Sequence, residues 1–504
     1  MKPVVASGHI RVTEAACETL KNGGNAFDAV VAAGFASVVA EPPLTSLGGG
    51  GFLLARPTNG KAVLYDFFAD TPGRGLQTQD LQPHFLPVTV HFPGSEQVFN
   101  VGQGSAAVPG TLRGLLYTHR ALGRLPLQEV IAPAVQLARD GVPLNRTQAY
   151  VLDLLHPIMT LTQGAKNIFA PGGEFLREGD RYVNRDLASF LEILPAAGDR
   201  PFYEGELAQQ IASDMREHGG LLTREDFSSY HVIERKPLTR TYRHYQLLTN
   251  PPPSFGGALL AYSLLLLQRG MVEAPEFGTL SHLAGLITLM QEVHRSRERH
   301  GLLQGENSDD RLSLSVEAVR RAFGGTTHVS IVDQEGNAAS LSCSNGEGSG
   351  YVVPGTGIML NNMMGEDDLH PDGFHASPPG LRVASMMSPS VLLKENRVCL
   401  VVGSGGSKRI RTALLQVLSN VIDFGMNIHE AIESPRLHWD GDLVQIEPGF
   451  EPEILAELKQ RWPVNVWQVK DVYFGGVHAA SALGEGAGDS RRDGAAATLQ
   501  DLVR

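Results

Sequence analysis

Residues Gly324-Gly325-Thr326-Thr327-His328-Val329-Ser330 carry the pattern in this chain most open to chemistry. Two glycines precede a threonine that opens an alternating, β-branched run, and glycine takes backbone angles closed to other residues. A sharp bend there lets the Thr326 hydroxyl attack the Gly325 carbonyl in an N→O acyl shift. Hydrolysis of the resulting ester leaves Thr326 as a new N-terminus, whose free α-amine is a built-in general base for the hydroxyl. The spelling alone is weak, because Gly-Gly-Thr-Thr also suits an ordinary turn into a strand. A second pattern, Gly403-Ser404-Gly405-Gly406-Ser407, stands between a predicted strand and a helix beginning near Arg409. N–H groups at such a turn face developing negative charge, as an oxyanion hole requires. It fits neither G-x-x-x-x-G-K-[ST] nor G-x-G-x-x-G. Gly48-Gly49-Gly50-Gly51 fits neither template either, and reads as close backbone packing.

The elements that must hold these residues divide near Gly324. Before it the chain reads as helix-rich: Thr13 to Lys21 and Ala26 to Ala40 flank the turn Asn22-Gly23-Gly24-Asn25, and Leu127 to Asp140, Leu207 to Glu217, Ala258 to Gln268 and Ser281 to Glu298 follow. Ala29 to Ala40 is apolar all round and reads as a buried core helix. After it the texture is strand-like. Thr326 to Val332 and Ala338 to Cys343 alternate around the turn residues Asp333-Gln334-Glu335-Gly336-Asn337, which predicts a hairpin. Strands at Val391-Leu392-Leu393 and Val398 to Val402 precede a helix over Arg409 to Phe424. The fold class is therefore α+β, with a sheet-rich C-terminal part.

Composition narrows the class. The 504 residues carry 42 Lys+Arg against 54 Asp+Glu, so the net charge is 42 − 54 = −12, with a pI near 5.8. That balance excludes a polyanion-binding surface and predicts no nucleic-acid partner. The longest apolar run is shorter than the ~20 residues a bilayer crossing needs, so no membrane partner is expected. Cys17, Cys343 and Cys399 are odd in number and show no zinc or disulfide spacing. The N-terminus has no apolar secretory segment, which makes the cytoplasm the expected location. His370-Pro371-Asp372-Gly373-Phe374-His375 reads as a polar loop, and no metal or cofactor is predicted.

Taken in order, several stretches resemble the γ-glutamyltransferase family of N-terminal-nucleophile hydrolases. They include Asn22 to Ala29, Leu47 to Phe52, Ala107 to Thr111, Leu137 to Gly141, Phe202 to Gly205, Gly219 to Thr223 and Pro251 to Ser254. Thr326 to His328, Leu360 to Asn362, Ser385 to Pro389, Gly403 to Ser407 and Asp489 to Ala495 complete the series. The resemblance implies a four-layer αββα sandwich, cut once before Thr326. The products would be a large chain, 1–325, and a small chain, 326–504, associated as a heterodimer. It also implies the site residues. Thr326 is the nucleophile, and Gly405 and Gly406 supply the oxyanion hole. Ser344 replaces a threonine hydroxyl near the nucleophile's amine. Asn345, Asp368 and Ser385 hold the head of the donor, with Arg74 as its carboxylate clamp, because a zwitterionic head needs groups of both signs. The implied reaction forms an acyl-enzyme from a small-molecule γ-glutamyl amide such as glutathione, then passes the acyl group to water or an amine.

Departures from the family pattern widen the substrate question. Met363 and Met386 stand where polar contacts are usual, Glu347 and Glu366 lie in altered segments, and the stretch from Asp368 to Ser385 is short. A pocket lined by the two methionines favours a less polar head group. Related N-terminal-threonine amidases act on oxamate-like amides, acylated β-lactams or polyglutamate, and an uncleaved, inactive binding protein is the alternative from another class. His328 and Cys343 read as packing residues, and Glu433 to His438 and Asp489 to Asp493 receive no chemical role.

Overall fold

The computed structural model describes residues 2–77, 83–92, 95–272, 276–299, 325–370 and 373–501. Gly324, half of the predicted cleavage bend, lies outside them. Thirteen strands and four helices position the site. In chain order they are β1 (Val4–Ser7), α1 (Ile10–Lys21), α2 (Ala26–Ala40), β2 (Gly50–Arg56), β3 (Val63–Phe67), β4 (Ile233–Arg235), β5 (Leu238–Tyr242), β6 (Tyr245–Thr249) and α3 (Phe255–Gln268). Then come β7 (Thr326–Val332), β8 (Ala338–Ser344), β9 (Ser390–Lys394), β10 (Arg397–Gly405), α4 (Arg409–Ile422), β11 (Gly476–Ser481), β12 (Gly486–Ala487) and β13 (Ala495–Thr498).

They form two antiparallel sheets, ordered β13-β1-β7-β8-β2-β3-β4 and β12-β11-β10-β9-β6-β5. Strand β7 packs across onto β10 and β11, and β8 onto β10. Helix α2 lies on β7 and β8, whereas α4 lies on β10 and β11. The chain is thus a mixed helix-and-sheet protein with its sheets in contact through the hairpin that begins at Thr326.

The hairpin follows from its turn. Asp333 Oδ1 accepts from the N–H groups of Glu335 and Asn337, and its Oδ2 accepts from Ala26 N at the start of α2. One carboxylate therefore closes the turn and docks it on a helix N-terminus, where negative charge is favoured. Helix α2 begins in a capping box of Asn25 and Asp28, and all fifteen of its residues are buried. Each valine or phenylalanine buried there contributes ~1.5–3 kcal/mol.

Side chains alternate across a strand. On one face of the hairpin Val329, Ile331, Leu341 and Cys343 join the core shared with α1 and α2. The other face, turned to the second sheet, is polar. It carries Ser330, whose hydroxyl donates to the His478 carbonyl, and Ser340, whose hydroxyl donates to the Val402 carbonyl.

The expectation of a helix-rich first part needs amendment. Residues before 325 supply six of the thirteen strands, among them β1 and β2, which flank the hairpin inside the first sheet. The four residues of β1, Val4-Val5-Ala6-Ser7, are too short a run to show a period, and β2 opens on glycines that read only as close packing. That packing is real: a Cβ on Gly49 would lie 2.2 Å from the Ser344 carbonyl oxygen, and one on Gly51 2.5 Å from that of Ser342.

Candidate active site

Thr326 opens β7 in register with Ser344 at the end of β8, and Ser344 is in register with Gly50 of β2. The Thr326 and Ser344 side chains share the face turned to the second sheet. The Ser344 hydroxyl donates a short hydrogen bond to the carbonyl of Gly325, and accepts in turn from Gly346 N at 3.0 Å. The carbonyl that a Thr326 attack must strike is therefore already held by a donor. Gly325 itself is tightly enclosed, since a Cβ there would fall 2.2 Å from the Gly346 carbonyl oxygen.

The second sheet closes over this pair through two glycines spaced by two on β10. A Cβ on Gly403 would lie 2.2 Å from the His328 ring, and one on Gly405 2.1 Å from the Thr326 carbonyl oxygen. Only glycine at both positions lets the sheets approach so closely. Strand β10 runs through Gly405, so this glycine ends a strand rather than opening a helix turn. Gly406 follows with φ +124°, a conformation that glycine tolerates. His328, fully buried, is spanned by hydroxyls: Nδ1 lies 2.8 Å from Ser342 Oγ and Nε2 3.0 Å from Ser330 Oγ. Burial, reinforced by His478, holds its imidazole well below the usual range, and the neutral ring is a spacer between the sheets.

Arg492 reaches Thr326 from the C-terminal segment. Its Nη1 donates to the Thr326 carbonyl at 2.9 Å, while Nε and Nη2 are buried without a hydrogen-bond partner among the described residues. Burial lowers its pKa to about 10. A buried network anchors the neighbouring chain: Arg436 and Arg491 meet Asp489 at 2.7 and 3.1 Å, and Arg491 also grips Glu447. These pairs explain Glu433 to His438 and Asp489 to Asp493, which the sequence left without a role. On the far face of β7, Thr327 Oγ1 donates to Glu41 at the C-terminal end of α2, 2.8 Å from each carboxylate oxygen. Burial raises the Glu41 pKa to about 7, against the opposing pull of the Thr327 hydrogen bond and Arg492.

The loop after β8 forms the second part of the site. Glu347 N donates to Asn362 Oδ1 at 2.8 Å, and Asn362 Nδ2 donates to Glu347 Oε2 at 3.0 Å. Glu347 Oε1 and Asn345 Oδ1 are buried acceptors without a partner among the described residues. Glu366 stands beside them, with its Oε1 2.4 Å from where a Cβ on Gly346 would lie. Burial pushes Glu347 up to about 8, and burial with the nearby Glu347 and Asp368 pushes Glu366 well above the carboxylate range. Asp368 accepts from Ser407 Oγ at 2.7 Å and pairs with Lys408 Nζ at 2.6 Å.

The predicted residues divide accordingly. Thr326, Gly325, Ser344 and Gly405 are in contact, and Gly406, Asn345 and Asp368 border them. Ser385 turns its hydroxyl onto its own segment, accepting from Met387 N at 3.1 Å, while its carbonyl accepts from Phe255 N. Arg74 is not brought to the group. It lines a separate cleft of about 770 Å³ with Gln209, Arg216, Thr223 and Glu225, and its Nη2 lies 3.5 Å from the Gly380 carbonyl oxygen. Met363 and Met386, expected to line the pocket, are packed in the core beneath it with Met364 and Met387. Among the described residues no group of His, Cys, Asp or Glu is placed to hold a metal, and no helix is long and apolar enough to cross a membrane. Sequence reasoning missed Glu41, Lys408 and Arg492. The adjacent charges Arg491-Arg492 in a glycine-bounded segment were the one signal available for the last.

A threonine opening an inner strand, its preceding carbonyl held by a hydroxyl and its own against a glycine of a second sheet, defines an amidase of the N-terminal-nucleophile hydrolase class. Comparison with known proteins sharpens this. The sequence model described as Gamma-glutamyltranspeptidase matches residues 12–301 and 297–499, and the chain belongs to that family of enzymes. The chain is 31% identical to a glutathione hydrolase proenzyme of Escherichia coli (strain K12), over 91% of this chain and 85% of that protein. It is 30% identical to an acylase ACY 1 proenzyme of Pseudomonas sp. (strain V22), over 90% and 85%. The crystal structure of cephalosporin acylase from Bacillus halodurans superposes with a TM-score of 0.84 at 27% identity, covering 98% of this chain and 95% of that one.

Proposed function

We propose that this chain is a self-processing amidase in which Thr326 is first the cleaving residue and then the nucleophile. The observation that carries the reading is the Ser344 hydroxyl on the Gly325 carbonyl, directly beside the Thr326 that would attack it. In the first reaction Thr326 Oγ bonds to the Gly325 carbonyl carbon and the peptide C–N bond breaks. Water then cleaves the ester, leaving a Gly325 carboxylate and a Thr326 α-amine. The products, 1–325 and 326–504, stay associated because each sheet contains strands from both sides of the cut, with β1 of the large chain held between β13 and β7 of the small one. The arrangement fits the four-layer αββα plan of the class.

In the second reaction the α-amine takes the Thr326 hydroxyl proton as Oγ attacks the amide carbonyl of a donor. The proton passes to the departing amine, and water or another amine releases the acyl group. Arg492, 2.9 Å from the Thr326 carbonyl oxygen, disfavours a second positive charge on the new amine and so keeps it available as the base. Freed from Gly325, the Ser344 hydroxyl can hold that amine. Gly405 and Gly406 would supply donors to the oxyanion, each contributing about 3 kcal/mol. The names of the relatives, glutathione hydrolase for one and cephalosporin acylase for another, support a small acyl amide as this chain's substrate.

The test is labelling of the purified protein with an amide-mimicking electrophile, followed by peptide mapping. One adduct on Thr326 is expected, together with loss of amidase activity. Labelling elsewhere, or full activity after Thr326 is modified, would contradict the reading.

A further inference from the structure

Asp368 is the carboxylate on which recognition of an amino-acid head group would depend, and the structure shows it already occupied. Lys408 Nζ lies 2.6 Å from Oδ1, with the two side chains 14% and 5% exposed, and Ser407 Oγ lies 2.7 Å from Oδ2. Both contacts come from the turn that follows Gly405 and Gly406, the glycines beside the nucleophile. Ser407 takes φ +51°, a left-handed conformation that non-glycine residues rarely adopt. The turn is thus shaped so that two successive side chains are committed to Asp368.

Resting on the amidase reading above, we infer that the acyl donor carries no ammonium group: Lys408 occupies from within the chain the place at Asp368 that a substrate ammonium would need. A γ-glutamyl donor would bring its ammonium beside a carboxylate already neutralised and beside a cation of its own sign. It would lose hydration there without gaining an ion pair. The remaining carboxyls do not replace Asp368. Glu347 and Glu366 are buried together, and burial pushes Glu347 up to about 8 and Glu366 well above the carboxylate range, which disfavours the charge an ammonium would need. Arg74, the residue expected to grip the carboxylate of an amino-acid head, lines another cleft. The donor class that fits is the amide of a carboxylic or dicarboxylic acid without an amino substituent.

Two anilides that differ only in the ammonium, γ-glutamyl and glutaryl p-nitroanilide, test this on the processed enzyme. The glutaryl donor is expected to show a kcat/KM at least tenfold higher. A smaller advantage, or any preference for the γ-glutamyl donor, overturns the inference and leaves the amidase reading intact, whereas turnover of neither donor overturns both. Lys408→Met, which removes the ammonium from Asp368, is expected to move the ratio at least tenfold toward the γ-glutamyl donor, and an unmoved ratio would overturn the inference. The wild-type ratio stands by itself if that variant does not fold.

Discussion

Around Thr326 the site is made of backbone register, whereas around Asp368 it is made of side-chain charge. Thr326, Ser344 and Gly50 fall in one cross-strand row, and Gly403 and Gly405 admit the second sheet because they lack a Cβ. Asp368 depends on Ser407 and Lys408, about forty residues away, and lies beside Glu347 and Glu366, whose carboxyls burial pushes above the usual range. Register fixes where Thr326 stands and leaves little room for change. A charge pair can be exchanged by one substitution without altering a strand. On the reading proposed above, reaction type and donor choice reside in physically different parts of the site.

The largest expected effect breaks the register half. Ser344→Ala removes the only hydrogen bond to the Gly325 carbonyl among the described residues, and should slow self-cleavage by about 10²–10³-fold, the usual effect of deleting one such donor. Ser344→Thr should largely restore the rate. A time course of precursor disappearance measures both, and unchanged processing in the alanine variant would remove Ser344 from the account.

A smaller effect concerns the charge behind the nucleophile. Folded Glu41 holds its proton up to about pH 7, whereas its ordinary value is 4.5. Between those values the folded state binds more protons than the unfolded state. The contribution of Glu41 to stability therefore falls as pH rises through the window and levels off above it. Glu41→Gln keeps an acceptor for Thr327 without the charge. It should match wild type near pH 5 and exceed it by up to about 3 kcal/mol near pH 8, seen as a higher Tm. Parallel Tm-against-pH curves would mean that Arg492 keeps Glu41 ionised in the folded protein.

The smallest effect separates the two clefts. Arg74→Ala should change kcat/KM by less than about threefold, as expected for a side chain away from the chemistry. A hundredfold loss would return Arg74 to the donor's carboxylate.

The sequence shows the first half of the site and little of the second, for reasons visible in particular residues. The hairpin is legible because Thr326 to Val332 and Ala338 to Ser344 alternate around the turn made by Asp333. Helix α2 is legible because it is apolar on every side. Strands β1 and β2 are not, since a four-residue run and a glycine run carry no period of their own and become strands by pairing with the hairpin. The Lys408–Asp368 pair and the reach of Arg492 to Thr326 are tertiary pairings that no local pattern encodes. Arg74 shows the converse failure, a residue of the right type in a loosely matching segment that the fold carries to another cleft.

The central claim is that the bond before Thr326 is cut by Thr326 itself, and the intact mass of the freshly purified chain tests it most directly. Wild type should resolve into two species, of 325 and 504 − 325 = 179 residues, with Thr326 at the N-terminus of the smaller. Thr326→Ala should give one species of 504 residues. A wild-type chain that remains whole while hydrolysing its amide donor would contradict the account.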